Sequence, residues 1–473
     1  MDYDHVFDMY SSQSTQQSLF SEPSQSREPA MSGTGAWNTP IARTEHSTQT
    51  YGFDEKDSKN RYIRLSEEAE RVALGPMPTK HFLRDFLPIS QEKLHEMPPC
   101  EGAFDDIPEI RAESDIYVPL IQAINPAPDH PTRPHSGRCP GFALRNTSAL
   151  RDESGGVIGS HQPDIVCYAN EHLPFVQVKR RAAQRPLDAF TDMGFAAIFI
   201  EVKAEEVMDF FFDPPVGAAR ECWAFTLGRQ KADRRGPAYK EAAKDLGQII
   251  SYAIEICARQ HRRFCLSISI SGKTARFMRW DRAGFIVSES FNYKENPRDL
   301  CEFFFRFAHL SDAERGYDLS VKPATAGEAL AFAAALDAHI LSQLGPSADG
   351  QSECRKMHFE PGSVTAIELP GHVSHSGIEK LLVSRPLTNP LSLTGRSTRA
   401  YWAAIYPPLT GLPGIVLLKD TWRLDDDYAG EVEGDILRLM QKQGVRNIPS
   451  VVCDWDIPVV DPESTKLNLH FAQ

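Results

Sequence analysis

Apolar residues along this chain follow two spacings, and each spacing predicts one kind of element. The longest helical pattern covers residues 241–260, where apolar positions recur every three or four residues on one face. Shorter helices are predicted at residues 79–87, at residues 108–125 beginning with Pro108, and after Pro297. The apolar positions of the long helix are Leu246, Ile249, Ile250, Ala253, Ile254 and Cys257.

Strands are predicted where apolar residues alternate or form short uninterrupted runs. Residues 264–270 alternate strictly, which is typical of a strand with two different faces. Residues 164–168 and 196–203 are short apolar runs, and the second ends in Glu-Val-Lys. The tetrapeptide Asp-Arg-Ala-Gly at residues 281–284 predicts a hairpin between the strands on either side of it.

Composition divides the chain into three parts. Residues 1–60 are rich in Ser, Gln and Thr, and we expect a disordered leader because such a segment buries too little apolar surface. Residues 61–345 mix helices and strands and predict an α/β domain. A cluster of Gly, Pro and Ser at residues 345–353 predicts a boundary. Residues 346–473 contain short strands and one helix, so an α+β part follows the α/β domain.

Charge and cysteine usage exclude several classes of protein. The formal net charge is −13, which argues against a uniformly basic nucleic-acid coat protein, although a local basic cleft is compatible with it. The nine cysteines show no C-x-x-C spacing, so we expect free thiols and no structural zinc site. Neither a signal peptide nor an apolar stretch of membrane-spanning length is present. The sequence therefore predicts an intracellular protein, cytoplasmic or nuclear, with no membrane contact and no support from net charge for a nucleic-acid partner.

Two short motifs in the α/β region carry the residue types of a phosphodiester-cleaving site. A Pro-Asp pair ends at Asp164, and Glu201-Val202-Lys203 follows on a later strand, giving the form PD…(D/E)xK. Nucleases of this type use two carboxylates to hold Mg²⁺ and a lysine to orient water and stabilise negative charge. Side chains two residues apart share one face of a strand. We therefore predict Asp164, Glu201 and Lys203 to be catalytic, with Asp164 and Glu201 as the metal ligands.

The predicted long helix adds polar groups to this candidate site. Gln248 lies on its polar face with Asp245 and Tyr252, and is a fourth catalytic candidate. Glu113 on an earlier helix is a further acid. The order of helix, Pro-Asp strand, Glu-Val-Lys strand and polar-faced helix predicts a restriction-endonuclease-like α/β fold.

A second candidate site lies near the end of the chain. Lys419 ends an apolar strand, and Glu433 follows near the start of a predicted helix, with Glu431 as a competing glutamate. Protein kinases hold ATP phosphates with a strand lysine that a helix glutamate orients. The loop around Gly395 precedes this strand, but it contains one glycine where kinase phosphate loops contain several.

At these residues the sequence resembles the fungal-type protein kinase family, over roughly residues 75–460. The resemblance implies an N-terminal α/β region followed by a kinase fold, with ATP and Mg²⁺ as cofactors. It makes Lys419 the strand lysine, Glu433 the helix glutamate and Gly395 the phosphate-loop glycine. The segments that carry it are WDRAGFIVSESFNYKENP, FFFRFAHLSDAERGYD, GRSTRAYWA, VLLKDTWR, EGDILRLM and GVRNIPSVV.

The sequence departs from that family at the catalytic residues. It contains neither H-R-D nor D-F-G, which supply the catalytic aspartate and a magnesium ligand in kinases. We therefore expect residues 346–473 to form a partial kinase-like small lobe without the C-lobe, with weak ATP binding and no phosphotransfer, as in an inactive or truncated kinase-like protein. Two alternatives stay open, a Mg²⁺-dependent DNA nuclease and a non-catalytic module that binds a protein partner.

Overall fold

The computed structural model describes most of the chain after residue 57. The predicted disordered leader therefore lies outside the described residues, except for its last three positions. The described residues are 58–126, 137–152, 161–176, 187–218, 223–227, 236–346, 350–371, 373, 377–388, 390, 392–412, 414–422 and 432–457.

Between residues 58 and 309, the described helices and strands are interspersed, as the apolar spacings predict. The α-helices are α1 (Ser58–Ala69), α2 (Thr79–Phe86), α3 (Gln91–Leu94), α4 (Ser114–Ile124), α5 (Leu173–Val176), α6 (Pro237–Arg259), α7 (Pro297–His309), α8 (Ala326–Leu344), α9 (Gln351–His358) and α10 (Glu433–Lys442). Short 3₁₀ turns occupy Glu70–Val72, Asn170–His172 and Glu206–Met208. The strands are β1 (Ala73–Met77), β2 (Phe142–Asn146), β3 (Ile165–Ala169), β4 (Ala196–Lys203), β5 (Phe264–Ser271), β6 (Thr274–Asp281), β7 (Gly284–Ser288), β8 (Phe291–Asn292), β9 (Val321–Pro323), β10 (Thr365–Glu368), β11 (Lys380–Val383), β12 (Pro386–Thr388), β13 (Arg399–Tyr406) and β14 (Ile415–Asp420).

The predicted helix at residues 108–125 is confirmed over Ser114–Ile124. Helix α4 begins at Ser114, six residues after Pro108. The carboxylate of Asp115 accepts hydrogen bonds from the backbone N–H groups of Arg111 and Ala112. These bonds hold the preceding segment in a turn, so the helix starts later than the proline suggests.

The first sheet has eight strands and is covered by helices on both faces. Its order is β1-β7-β6-β5-β4-β3-β2, with β8 paired to β6. Strands β4 and β5 are parallel, as are β1 and β7, and the other pairs are antiparallel. Helices α2, α4 and α7 pack on one face, and α1 and α6 pack on the other. The predicted mixed α/β class is therefore confirmed.

Strand β4 occupies the centre of this layered arrangement, and its side chains alternate between the two cores. Ile198 and Ile200 pack with α2, α4 and α7, whereas Phe199 packs with α6. Burial on both faces explains why this strand is an almost uninterrupted apolar run. Because alternate side chains share a face, Glu201 and Lys203 lie on the α6 side with Phe199.

Helices α1 and α6 cross closely at Gly247. A methyl group on Gly247 would overlap the backbone carbonyl of Tyr62 on α1. The glycine is thus required by the approach of two helix backbones.

Replacing Gly247 by alanine is expected to lower the free energy of unfolding by about 1–3 kcal/mol. The overlap costs more than the helix propensity that alanine adds. Urea unfolding of both proteins checks this. Gly327→Ala is the matched control, because a methyl group there meets nothing within 4 Å and should leave stability unchanged or slightly higher. Equal responses of the two variants would contradict a tight crossing.

The second sheet is antiparallel and lies after the first in sequence. Strand β13 pairs with β14 along one edge and with β11 and β12 along the other, and β10 and β9 follow β11. Helices α8 and α9 pack on one face, around Trp402. On the other face, the core that contains Tyr401 is packed against by Val452, Cys453 and Trp455.

The predicted boundary at residue 345 lies inside this second part of the structure. Strand β9 pairs with β10, and Phe332, Leu336 and Ile340 of α8 pack in one core with Trp402. Helix α8 therefore belongs with the second sheet and not with the α/β region before it. Within the described residues, no helix combines the length and apolar content that crossing a bilayer requires.

Candidate functional site

The three residues of the PD…ExK pattern meet on two neighbouring antiparallel strands. Asp164 immediately precedes β3, and Glu201 and Lys203 are near the end of β4. Ile165 pairs with Ile200, and this register continues to place Asp164 beside Glu201. Glu201 and Lys203 lie on the α6 side of the sheet, whereas the Asp164 side chain contacts Tyr117 of α4.

Asp164 is buried and both of its carboxylate oxygens accept hydrogen bonds. The hydroxyl of Tyr117 on α4 donates to Oδ1 at 2.6 Å, and the backbone N–H of Val202 donates to Oδ2 at 2.8 Å. Burial raises the pKa of Asp164 to about 6, although these two hydrogen bonds act to lower it. The carboxylate is therefore fixed in orientation by its neighbours.

Glu201 and Lys203 form a partly solvent-shielded ion pair. Lys203 Nζ lies 2.8 Å from Glu201 Oε1 and 3.7 Å from Glu113 Oε1. Glu201 is only 3% exposed, and burial together with Asp164 raises its pKa to about 8. Burial alone would lower the pKa of Lys203, but Glu201 and Asp245 outweigh that effect and raise it. Lys203 therefore stays positively charged at neutral pH.

Gln248 lies on α6, the helix that packs on the same face of the sheet as Phe199. The Gln248 Nε2 group donates to the hydroxyl of Tyr252 at 2.6 Å. Burial and the nearby charge of Glu201 raise the pKa of Tyr252. Gln248 is thus bonded to a tyrosine that lies near Glu201.

Tyr117 is the residue of this cluster that sequence reasoning missed. It occupies a helix whose other core-facing residues are aliphatic or alanine, including Ile116, Leu120 and Ile124. A tyrosine in such a helix was the only sequence signal, and its contact with Asp164 depends on tertiary packing. Glu113, which immediately precedes this helix, lies 3.4 Å from the same hydroxyl.

These residues meet only some of the requirements for binding a divalent cation. Glu201 Oε2 is buried and has no hydrogen-bond partner among the described residues, so this oxygen has a free lone pair. Asp164, the other predicted ligand, has both oxygens engaged by Tyr117 and Val202. No group of three or more His, Cys, Asp or Glu residues in the described part of the chain is arranged to bind a metal.

The second predicted site contains the expected pair of opposite charges. Lys419, on β14, forms an ion pair with Glu433, the first residue of α10. Both side chains are partly exposed, at 44% and 54%. Within α10, Gly434 is the buried residue, so this helix lies largely on the surface.

The loop that contains Gly395 is attached to the first sheet. Leu393 is buried in the core that α6 shares with that sheet. Gly395 N–H donates to the carbonyl of Arg282 at 3.3 Å, and Arg282 Nη1 donates to the Leu393 carbonyl at 3.4 Å. Gly395 has φ of +92°, which favours glycine. The structure therefore places this loop against the β6–β7 hairpin.

The comparisons with known proteins identify the family of the chain. A sequence model described as fungal protein kinase matches residues 231–470, about half of the chain and all three predicted nucleotide-site residues. Neither the curated proteins nor the solved structures give a significant match. The chain therefore belongs to the fungal protein kinase family.

Proposed function

We propose that the second sheet and α10 hold the phosphates of ATP in the manner of a kinase small lobe. The ion pair between Lys419 and Glu433 is the observation that carries this proposal. Kinases orient their phosphate-binding strand lysine with a helix glutamate in the same way. Membership of the fungal protein kinase family implies the use of ATP and Mg²⁺ in general.

The order of elements around this pair supports the same function. An antiparallel strand pair, β12 and β13, is joined by the segment that contains Gly395, and β14 with Lys419 follows. In kinases a glycine-containing loop between two antiparallel strands precedes the lysine strand and then the glutamate helix. The attachment of this loop to Arg282 distinguishes it from a loop that is free to close over phosphates.

We further propose that these 473 residues do not transfer phosphate by themselves. They contain no H-R-D and no D-F-G sequence, so the base that accepts the hydroxyl proton and the usual magnesium ligands are not among them. Lys419 can neutralise part of the phosphate charge. The neutralisation that bound metal ions supply in kinases is missing, because the usual metal ligands are not among these residues. Nucleotide affinity should consequently be weak.

Lys419→Met is expected to weaken binding of a fluorescent ATP analogue at least about tenfold, because it removes the charge that faces the phosphates. A fluorescence titration of the whole chain measures this. Lys442→Met, a surface charge in the last turn of α10, is the matched control and should bind as the unmodified protein does. Equal affinity of the Lys419 variant would refute the phosphate-binding role. Transfer of labelled phosphate to a generic substrate, lost in Lys419→Met, would refute the second part of the proposal.

A second candidate function is Mg²⁺-dependent cleavage of nucleic acid at the Asp164 site. The convergence of Asp164, Glu201 and Lys203 in one buried cluster favours it. The order α4, β2, β3, β4, α6, β5, with these four strands adjacent, also resembles a restriction-endonuclease-like core. Nucleic acid would then be the substrate, despite the acidic net charge.

The residues of this cluster could divide the work of phosphodiester hydrolysis. Lys203, charged and held by Glu201, would stabilise negative charge that develops on the phosphate. Tyr117 and the Val202 N–H keep Asp164 in place. A bound Mg²⁺ supplies Lewis-acid polarisation of a phosphate oxygen, and Glu201 Oε2 is the oxygen with a lone pair to offer it.

A further inference from the structure

Two buried cysteines lie in contact where α6 is followed by β5. Cys257 is near the end of α6, and Cys265 is the second residue of β5. Their sulfur atoms are 3.9 Å apart, and both thiols are free. The two residues are only 3% and 0% exposed. A disulfide requires the sulfurs to be about 2 Å apart, so a small movement of the two side chains brings them within bonding distance.

Buried arginines surround this pair. Arg262, Arg282 and Arg399 are 3%, 8% and 6% exposed. Arg399 pairs with Asp420, whereas the described residues give Arg262 and Arg282 no carboxylate partner. The Nε atoms of Arg262 and Arg282 are buried and have no hydrogen-bond partner within the described part of the chain. Because buried charges are normally paired, these two guanidinium groups favour a negative charge close to them.

A thiolate at Cys257 meets this requirement. Arg282 Nη2 donates to the backbone carbonyl of Cys257 at 3.1 Å. The hydrogen bond with Cys265 and the charge of Arg282 lower the pKa of the Cys257 thiol, although burial acts to raise it. The thiolate is the form of cysteine that reacts with oxidants. A second thiol held beside it reacts as if at very high concentration.

We propose that Cys257 and Cys265 are a redox-active dithiol that hydrogen peroxide oxidises to an intramolecular disulfide. The Cys257 thiolate first attacks one peroxide oxygen, which breaks the O–O bond and gives a sulfenic acid and hydroxide. The Cys265 sulfur then attacks the sulfenic sulfur. An S–S bond forms, the S–O bond breaks, and the departing hydroxide leaves as water with the thiol proton.

The balance of this reaction is two thiols and one peroxide giving one disulfide and two waters. The thiols lose two electrons, and the peroxide gains them. Hydrogen peroxide is close to water in size, so brief opening of the last turn of α6 is enough to admit it. The inference goes beyond both candidate functions and depends on neither.

A second pair of cysteines provides an internal comparison. The thiols of Cys139 and Cys167 are also hydrogen-bonded, and both residues are fully buried. Burial and the contact with Cys167 raise the pKa of Cys139 well above its ordinary value, and the charge of Arg315 does not offset this. Cys139 therefore stays a thiol at neutral pH. We expect the Cys257 pair to be oxidised first.

The test is peptide mapping of the whole folded chain after treatment with increasing hydrogen peroxide, with the remaining thiols alkylated before digestion. Cys257 and Cys265 fall in separate tryptic peptides, residues 245–259 and 264–273. We expect these peptides to be joined by a link that dithiothreitol removes. The link should form at about tenfold lower peroxide than a Cys139–Cys167 link.

The role of the arginines is tested with a matched pair of variants. Arg282→Met removes one buried charge beside Cys257 and should slow formation of the link about tenfold. Arg355→Met removes an exposed arginine that pairs with Asp337 and should leave the rate unchanged. An unchanged rate in Arg282→Met would contradict activation by the buried charge.

Two results for the unmodified chain would overturn the proposal whatever the variants do. One is that Cys257 and Cys265 stay reduced at every peroxide concentration that leaves the circular dichroism spectrum unchanged. The other is that either cysteine is found linked only to a different cysteine. A Cys139–Cys167 link that forms as readily as the Cys257–Cys265 link would overturn the selectivity that the arginines are proposed to give.

Discussion

Replacing Lys203 by methionine is expected to reduce Mg²⁺-dependent nicking of supercoiled plasmid DNA by about 10²–10³-fold. Methionine keeps the apolar stem of the side chain but removes the ammonium group that lies 2.8 Å from Glu201 Oε1. The loss of one well-placed group that stabilises transition-state charge typically costs that much. The remaining carboxylates would also repel the phosphodiester. Nicking is followed by gel electrophoresis at fixed Mg²⁺ concentration.

The control for this variant is the same substitution at Lys322. Lys322 forms an exposed ion pair with Glu368 on the second sheet, and surface pairs of this kind contribute little. Lys322→Met should nick plasmid at the unmodified rate. Undiminished nicking by Lys203→Met would exclude the cluster as the source of activity, as would the lack of any nicking with Mg²⁺ or Mn²⁺ in the unmodified protein. Circular dichroism of the variants distinguishes lost chemistry from lost folding.

The elements that were best predicted from the sequence have a clearly periodic pattern of apolar residues and depend little on contacts with distant segments. Helix α6 contains nearly all of the predicted segment at 241–260, and β4 has the predicted bounds. In both cases one burial pattern extends over many residues, so local spacing was sufficient. Local spacing could not predict which sheet helix α8 packs on, because its apolar residues could pack against either one.

The candidate sites were predictable as residue types and not as arrangements. The motif predicted that Asp164, Glu201 and Lys203 lie on neighbouring strands, because the order of these strands along the chain limits which of them can pair. The contact of Tyr117 with Asp164 arises from two segments 47 residues apart, and nothing local specifies it. The contact between the Cys257 and Cys265 thiols likewise exists only once α6 is packed on β5.

The loop near Gly395, in the second candidate site, was likewise predictable in its position along the chain but not in its contacts. A loop between two strands and ahead of a lysine strand indicates phosphate binding by its position. Its attachment to the first sheet follows from Leu393 entering a distant core and from Arg282 reaching its carbonyls. Such packing requires two separate regions to be complementary in shape, which residue spacing does not encode.

A buried arginine connects the second sheet to the end of α6 and provides the largest expected effect on stability. Arg399 begins β13, and its guanidinium pairs with Asp420 on β14. It also donates to the carbonyl of Gln260 at 2.9 Å, at the end of α6. Burial and the charge of Arg399 lower the pKa of His261 to about 3. His261 is therefore neutral, and its Nδ1, 3.2 Å from Arg399 Nη2, can accept a hydrogen bond.

Arg399→Met is expected to lower the free energy of unfolding by about 3–5 kcal/mol. The substitution leaves Asp420, whose side chain is 22% exposed, without its partner, and breaking a largely buried pair on one side costs about this much. Urea unfolding measures the change. The matched control is Arg355→Met, which removes an exposed ion pair with Asp337 and should cost less than about 1 kcal/mol.

The double variant Arg399→Met/Asp420→Asn identifies the cause of this loss. If the uncompensated charge of Asp420 dominates, adding Asp420→Asn should restore part of the stability, because the two substitutions are then not additive. Additive losses would assign the effect to the carbonyl contacts at the end of α6. A loss no larger than that of Arg355→Met would mean that Arg399 does not hold the second sheet to the end of α6. Since Asp420 directly follows Lys419, a loosened β14 should also weaken ATP binding in Arg399→Met, while the distant ion pair of Lys203 with Glu201 stays intact.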